Sequence, residues 1–143
     1  MIGRLFRSRT RRLDKELGQG LWRRAHDRYV RGLDRYHQVL EGIADDAVHN
    51  DLVLLGDRLA EQLETVRELC GEAHRAHPGE GMLIPGDAAD LHAGLSQAAN
   101  HLATTAEAVA MVRLGAAERT AVHRRSERVF ETLASAEAAR VGR

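Results

Sequence analysis

The sequence predicts an all-α protein, and three observations lead there. Apolar residues recur at spacings of three and four along most of the chain, which puts each set on one side of a helix. No window alternates apolar and polar residues with β-branched enrichment, so no strand is expected. The chain has 143 residues and only two prolines, enough for a single core and poor in helix breakers. The expected architecture is an antiparallel four-helix bundle with long helices over about 10–44, 46–77, 87–114 and 117–140.

The first stripe runs Trp22, His26, Tyr29, Leu33, Tyr36, Leu40 and Ile43, with Leu13, Leu17 and Leu21 extending it on an adjoining face. Gly18-Gln19-Gly20 falls inside this pattern and is read as helical. Gly42 and Asp45-Asp46 predict a turn, the alternative being one continuous helix from Thr10 to His77 that buries its stripe against another chain. The second stripe reads Val48, Leu52, Leu55, Leu59, Leu63, Val66, Leu69 and Ala73. Pro78-Gly79-Glu80-Gly81 and Pro85-Gly86 bracket the clearest loop, after which Asp87 is the expected N-cap of the third helix. That helix carries Leu91, Leu95, Ala98, Leu102, Thr105, Val109 and Val112, and Gly115 is placed to end it in a left-handed cap. The last stripe is Val122, Ser126, Val129, Leu133 and Ala136.

Lys+Arg and Asp+Glu both number 21, so global basicity gives no argument for nucleic acid. The charge is unevenly spread: residues 1–40 carry a net +7, residues 41–90 a net −9 and residues 91–143 a net +2. A basic first helix beside an acidic second one favours their pairing, although each exposed ion pair contributes only about 0.2–1 kcal/mol. All the cations except Lys15 are arginine, a skew that GC-rich coding also produces. The single cysteine, Cys70, forms no internal disulfide and fits a reducing compartment. No stretch is long and apolar enough to span a bilayer, and the basic start lacks the apolar run of a secretory signal. The expected location is therefore the cytoplasm, with peripheral membrane contact as a variant.

The sequence divides into a basic amphipathic segment, 1–12, and a single bundle domain, 13–143. In the first segment Leu5 and Phe6 share a helix side, flanked by Arg4, Arg7, Arg9, Arg11 and Arg12. Apolar anchors among arginines describe a helix lying on an anionic surface, and cations at a helix N-terminus oppose its dipole unless an anion is near. Packing of Leu5 and Phe6 along the first helix is the plainer alternative. The arginines from Arg7 to Arg35 form a basic stripe suited to phosphates. The lack of a helix-turn-helix, zinc-finger or aromatic stacking pattern argues against nucleic acid as the partner.

Two weaker sites remain. Cys70, His74 and His77 share a helix face, and thiolate with imidazoles suits zinc, although no second motif supplies a fourth ligand. Otherwise no cofactor is expected. Trp22, His26 and Tyr29 are a candidate ligand pocket between helices, weighed against His26 being an ordinary hydrogen-bonded core histidine. No hydrolytic triad, glycine-rich phosphate loop or paired Glu-x-x-His set is found. The functional expectation is thus a small non-enzymatic interaction or adaptor protein whose basic N-terminal segment meets a membrane or an acidic partner. The partner is expected to be a protein, and homo-oligomerisation is open. A ligand- or metal-binding bundle and a phosphate-backbone binder are the alternatives.

Overall fold

The computed structural model describes residues 2–78, 81 and 83–140, with side chains from Arg7 onward. Five α-helices pack together: α1 (Ile2–Leu17), α2 (Leu21–Leu40), α3 (Asp46–Ala76), α4 (Ala89–Arg113) and α5 (Arg119–Ala138). No strand occurs among the described residues. No helix is long and apolar enough to cross a membrane.

The apolar stripes read from the sequence become the core. Trp22, Tyr29, Leu33, Tyr36 and Leu40 of α2 are buried, as are Leu52, Leu55, Leu59, Val66 and Leu69 of α3. Leu91, Leu95, Leu102 and Val109 of α4 meet Val122, Val129 and Leu133 of α5 in the same cluster. Three buried polar residues, His26, Thr105 and Ser126, also lie on these stripes. The Thr105 hydroxyl donates to the His101 carbonyl and the Ser126 hydroxyl to the His123 carbonyl, so burial leaves neither hydroxyl unsatisfied.

The expected first helix is two helices, and the chemistry of Gly18 explains the break. Gly18 takes a φ of +72°, and its N–H donates to the Asp14 carbonyl at 2.9 Å, which is the single-bond left-handed cap of a helix C-terminus. A Cβ at this position would lie 2.5 Å from Cε1 of His74, so glycine is needed for space as well as for φ. The boundary drawn between residues 12 and 13 therefore falls inside α1, whose final turn is what packs: Leu13 and Leu17 join the core.

The turn between α2 and α3 is present. Asp45 caps α3, its carboxylate accepting from the Val48 N–H at 3.0 Å. Asp87 does not cap α4 as expected. It sits within a 3-10 turn, Gly86–Ala88, and its carboxylate meets Nε2 of His77 at 3.0 Å, tying the two ends of the connection together. Gly115 ends α4 at a φ of +76°, with Gly115 N–H on the Val112 carbonyl and Ala116 N–H on the Met111 carbonyl.

Specific contacts fix how the helices run. The Tyr29 hydroxyl donates to the Leu59 carbonyl and the Tyr36 hydroxyl to the Leu52 carbonyl, so α2 and α3 run in opposite senses. Along α2 and α4, Trp22 meets His92, Arg28 meets Asn100 and Gly42 lies under Arg113, so these two run in the same sense. Gly94 abuts Ala136 while Arg125 reaches the Thr104 carbonyl, so α5 reverses α4. Around the core the order is α2, α3, α5, α4. This places α3 and α4 at opposite corners. The connection between them passes the start of α2, where Pro78, Leu83 and Pro85 line a cleft with Leu21 and Trp22.

Candidate anion-binding surface

Ion-paired arginines are confined to one part of this molecule. Among the described residues they all lie on the side formed by α1, α3 and the adjoining edges of α2 and α5, where Arg7, Arg9, Arg11, Arg12, Arg58 and Arg75 are nonetheless without an ion pair. Arg23 bridges Asp14 and Asp27, Arg67 holds Glu16 at 2.7 Å, Arg119 approaches Asp51, and Arg140 meets Glu72 at 2.6 Å. Arg58 lies over the Phe130 ring, 4.5 Å from its centroid. The Arg67 hydrogen bonds hold the Glu16 carboxyl below the usual glutamate range, against the opposing effect of burial.

The side centred on α4 is different. Arg24, Arg28, Arg31 and Arg35 follow a four-three-four spacing that makes one row along α2. Arg28, Arg31 and Arg35 line the groove between α2 and α4 with Asn100 and Ala103. Across the α4 ridge, Arg124, Arg125 and Arg128 line the groove between α4 and α5 with Asn100, His101 and Thr104. Among the described residues, none of these seven arginines has a carboxylate within ion-pair distance. Their contacts are to neutral acceptors: Arg28 to the Asn100 amide at 2.6 Å, Arg35 to Gln38 and Arg125 to the Thr104 carbonyl. Glu107 lines the α2/α4 groove, and no acidic residue lines the α4/α5 groove at this level.

Within each row the arginines repel one another, while Asp27, Asp34, Glu127 and Glu131 lie three or four residues from them along the same helices. Like charges at i and i+4 on a helix destabilise it by about 0.2–0.5 kcal/mol per pair. The field is felt nearby: burial, together with the Arg28 charge, holds the His92 imidazole below its usual range. On the outer face of α3 the opposite arrangement occurs, with Asp57, Glu61, Glu64 and Glu68 exposed at the same four-three-four spacing. The chain is neutral as a whole, so the arginines around α4 do not show in its net charge.

The residues singled out in the sequence fall in several places. Arg7, Arg9, Arg11 and Arg12 are exposed on α1. Arg4 lies in α1, but its side chain and those of Leu5 and Phe6 lie outside the described residues. The expected continuous stripe from Arg7 to Arg35 is divided, because the turn at Gly18 sends α1 to the α3 side while the α2 row faces α4. Arg23 leaves the stripe altogether by pairing with carboxylates.

The zinc candidates do not converge. Among the described residues no group of three His, Cys, Asp or Glu side chains is placed to hold a metal. Cys70 is fully buried, and burial pushes its thiol up to about 12, which disfavours the thiolate that zinc requires. The His74 ring sits beneath the Gly18 turn with its buried Nδ1 unpartnered, and His77 is held by Asp87.

Trp22, His26 and Tyr29 are core residues with separate partners. Trp22 packs edge-on against His92 at 5.7 Å, His26 Nδ1 contacts Asp27 at 2.9 Å, and the Tyr29 hydroxyl is bonded to the α3 backbone. Sequence reasoning missed Arg124, Arg125 and Arg128. Their positions off the Val122–Ser126–Val129 stripe marked them as surface, but nothing local showed that α4 would bring them alongside the α2 row. Comparison with protein-family models, curated proteins and solved structures gives no match.

Proposed function

We propose that this chain is a small non-enzymatic interaction protein that engages an anionic partner through arginines. Its scaffold is a four-helix bundle of two antiparallel hairpins, α2/α3 and α4/α5, with α1 attached as an arm. The observation that carries this reading is the gathering of seven arginines without an ion pair around α4, while the ion-paired Arg23, Arg67, Arg119 and Arg140 all lie elsewhere. A bound anion supplies the missing counter-charge and offsets the repulsion within the two rows. The exposed Arg7, Arg9, Arg11 and Arg12 offer a second anionic contact on the opposite flank. A cytoplasmic site of action fits the reduced, buried Cys70.

The test is the salt concentration needed to elute the protein from immobilised heparin. Replacing Arg28, Arg31, Arg124 and Arg128 with Gln is expected to lower that concentration well below the wild-type value. The same replacement at Arg7, Arg9, Arg11 and Arg12 is expected to lower it less. Failure of the wild type to be retained contradicts the reading. A larger effect from the α1 set moves the contact to the arm, as the sequence alone implies.

A further inference from the structure

We infer that the α4 side holds B-form duplex DNA by both phosphate backbones, an inference that rests on the anionic-partner reading and names its partner. The geometry of the two rows points there. Arg24 and Arg35 are eleven residues apart on one helix. At 1.5 Å per residue the α2 row is about 16 Å long, enough to meet roughly three successive phosphates of one strand. The α5 arginines form a second row across α4. Each flanking helix axis lies about 8–10 Å from the α4 axis, so the α2 and α5 axes, at opposite corners, stand roughly 11–14 Å apart, and long side chains on them reach the two backbones bordering a major groove about 12 Å wide.

Between the rows the α4 ridge is low and polar. Gln97, Asn100, Ala103 and Thr104 are exposed along it, with no large side chain to hold the groove away. Asn100 already accepts from Arg28, which keeps one arginine of the row oriented along the groove. Glu107 lies within the α2/α4 groove beside Arg28, Arg31 and Arg35, a local negative charge inside the footprint, and Asp90 and Glu131 lie further along the other groove. The exposed acids along the outer face of α3 disfavour a polyanion on that helix.

The same surface fits other anionic partners less well. Binding in a membrane interface requires buried apolar area. The exposed large apolar residues lie elsewhere: Leu54 on α3, Leu83 and Ile84 in the connection, Leu114 after α4, and Met111 at the end of the ridge. Protein interfaces are depleted of charge at their centre and use aromatic anchors. Here Trp22, Tyr29 and Tyr36 are consumed by the core. The small ridge and the absence of aromatics on it favour backbone contacts over base readout, so binding is expected to ignore sequence.

The experiment is fluorescence anisotropy with a labelled mixed-sequence DNA duplex of about 20 base pairs over a salt series. With seven arginines engaged, the slope of log K against log salt is expected near −6, a loss of about 10³–10⁴-fold between 50 and 200 mM salt. Arg31→Gln is expected to reduce the slope by about 0.9, whereas Arg58→Gln, on the far side over Phe130, leaves it unchanged. A shuffled duplex binds equally, and the single strand binds more weakly with a shallower slope. An RNA duplex bound as tightly as DNA overturns the groove geometry. Phosphatidylglycerol vesicles bound more tightly than the duplex overturn the choice of partner. Retention on heparin without duplex binding defeats this inference and leaves the anionic-partner reading standing; absence of both defeats the two together.

Discussion

Arg67 and Arg31 project from neighbouring helices, α3 and α2, yet they are treated in opposite ways. Arg67 closes on the Glu16 carboxylate with two hydrogen bonds of 2.7 and 2.8 Å and helps fasten α1 to α3. Arg31 stands in a groove with other arginines and small side chains. The same contrast separates Arg23, Arg119 and Arg140 from Arg24, Arg124 and Arg128. With equal numbers of acids and bases in the chain, uncompensated arginine on one side is a matter of placement, not of shortage. The ion pairs of Arg23, Arg67 and Arg140 join elements of the fold, whereas Arg31 makes no such pair.

The corner that directs α1 to the paired side is the most sensitive point. Gly18→Ala forces a β-carbon into a left-handed conformation and against His74. The expected cost is about 2–3 kcal/mol, read as a lower denaturant midpoint. Adding His74→Ala removes the clash but not the backbone strain, so a partial recovery is expected. Full recovery shows that strain at Gly18 contributes nothing.

Arg23→Gln is the next step down. The guanidinium is largely buried between Asp14 and Asp27, and its loss leaves two carboxylates facing each other across the α1/α2 corner. A destabilisation of about 1 kcal/mol is expected, compared with a change within a few tenths for Arg31→Gln on the other side. Equal losses from the two substitutions erase the distinction between the sides.

The smallest effect concerns pH. Glu16 is held below its ordinary range in the folded chain by Arg67, so the unfolded chain binds its proton first as pH falls. The contribution of this pair is complete above the usual glutamate range and is lost as pH drops through the depressed folded value. Arg67→Gln is expected to flatten that part of the acid-stability curve. An unaltered curve shows that the contact is idle in solution. Both side chains are about a third exposed, so solvent screening keeps the effect small.

The core was legible because burial follows period, and the period survives in every helix from α2 to α5. Val122, Ser126, Val129, Leu133 and Ala136 fall on one face in sequence and are buried together in the structure. The break at Gly18 was hidden because Leu17 and Leu21 keep the four-residue spacing across it, so hydrophobic pattern outweighed a glycine pair in the reading. Asp87 had a capping side chain in the right place, but its carboxylate is turned to His77, a contact across ten residues that local rules do not contain. The arginine face was the least legible feature. Its α2 row is a plain periodic pattern, but the α5 row becomes part of the same surface only because α4 packs between them, and net charge conceals both. Asp57, Glu61, Glu64 and Glu68, at the far corner of the molecule, are part of what brings the sum to zero.

On the proposed reading the arginines on the α4 side are placed for a partner, and only Arg28, through Asn100, and Arg125, through the Thr104 carbonyl, also touch a neighbouring helix. The most direct measurement is the thermal midpoint of the Arg28→Gln/Arg31→Gln/Arg124→Gln/Arg128→Gln variant at low ionic strength. Relief of like-charge repulsion is expected to leave the midpoint unchanged or to raise it by about 1–4 °C, with the difference fading as salt is added. A midpoint lowered by several degrees means that these side chains hold the helices together, and contradicts the account.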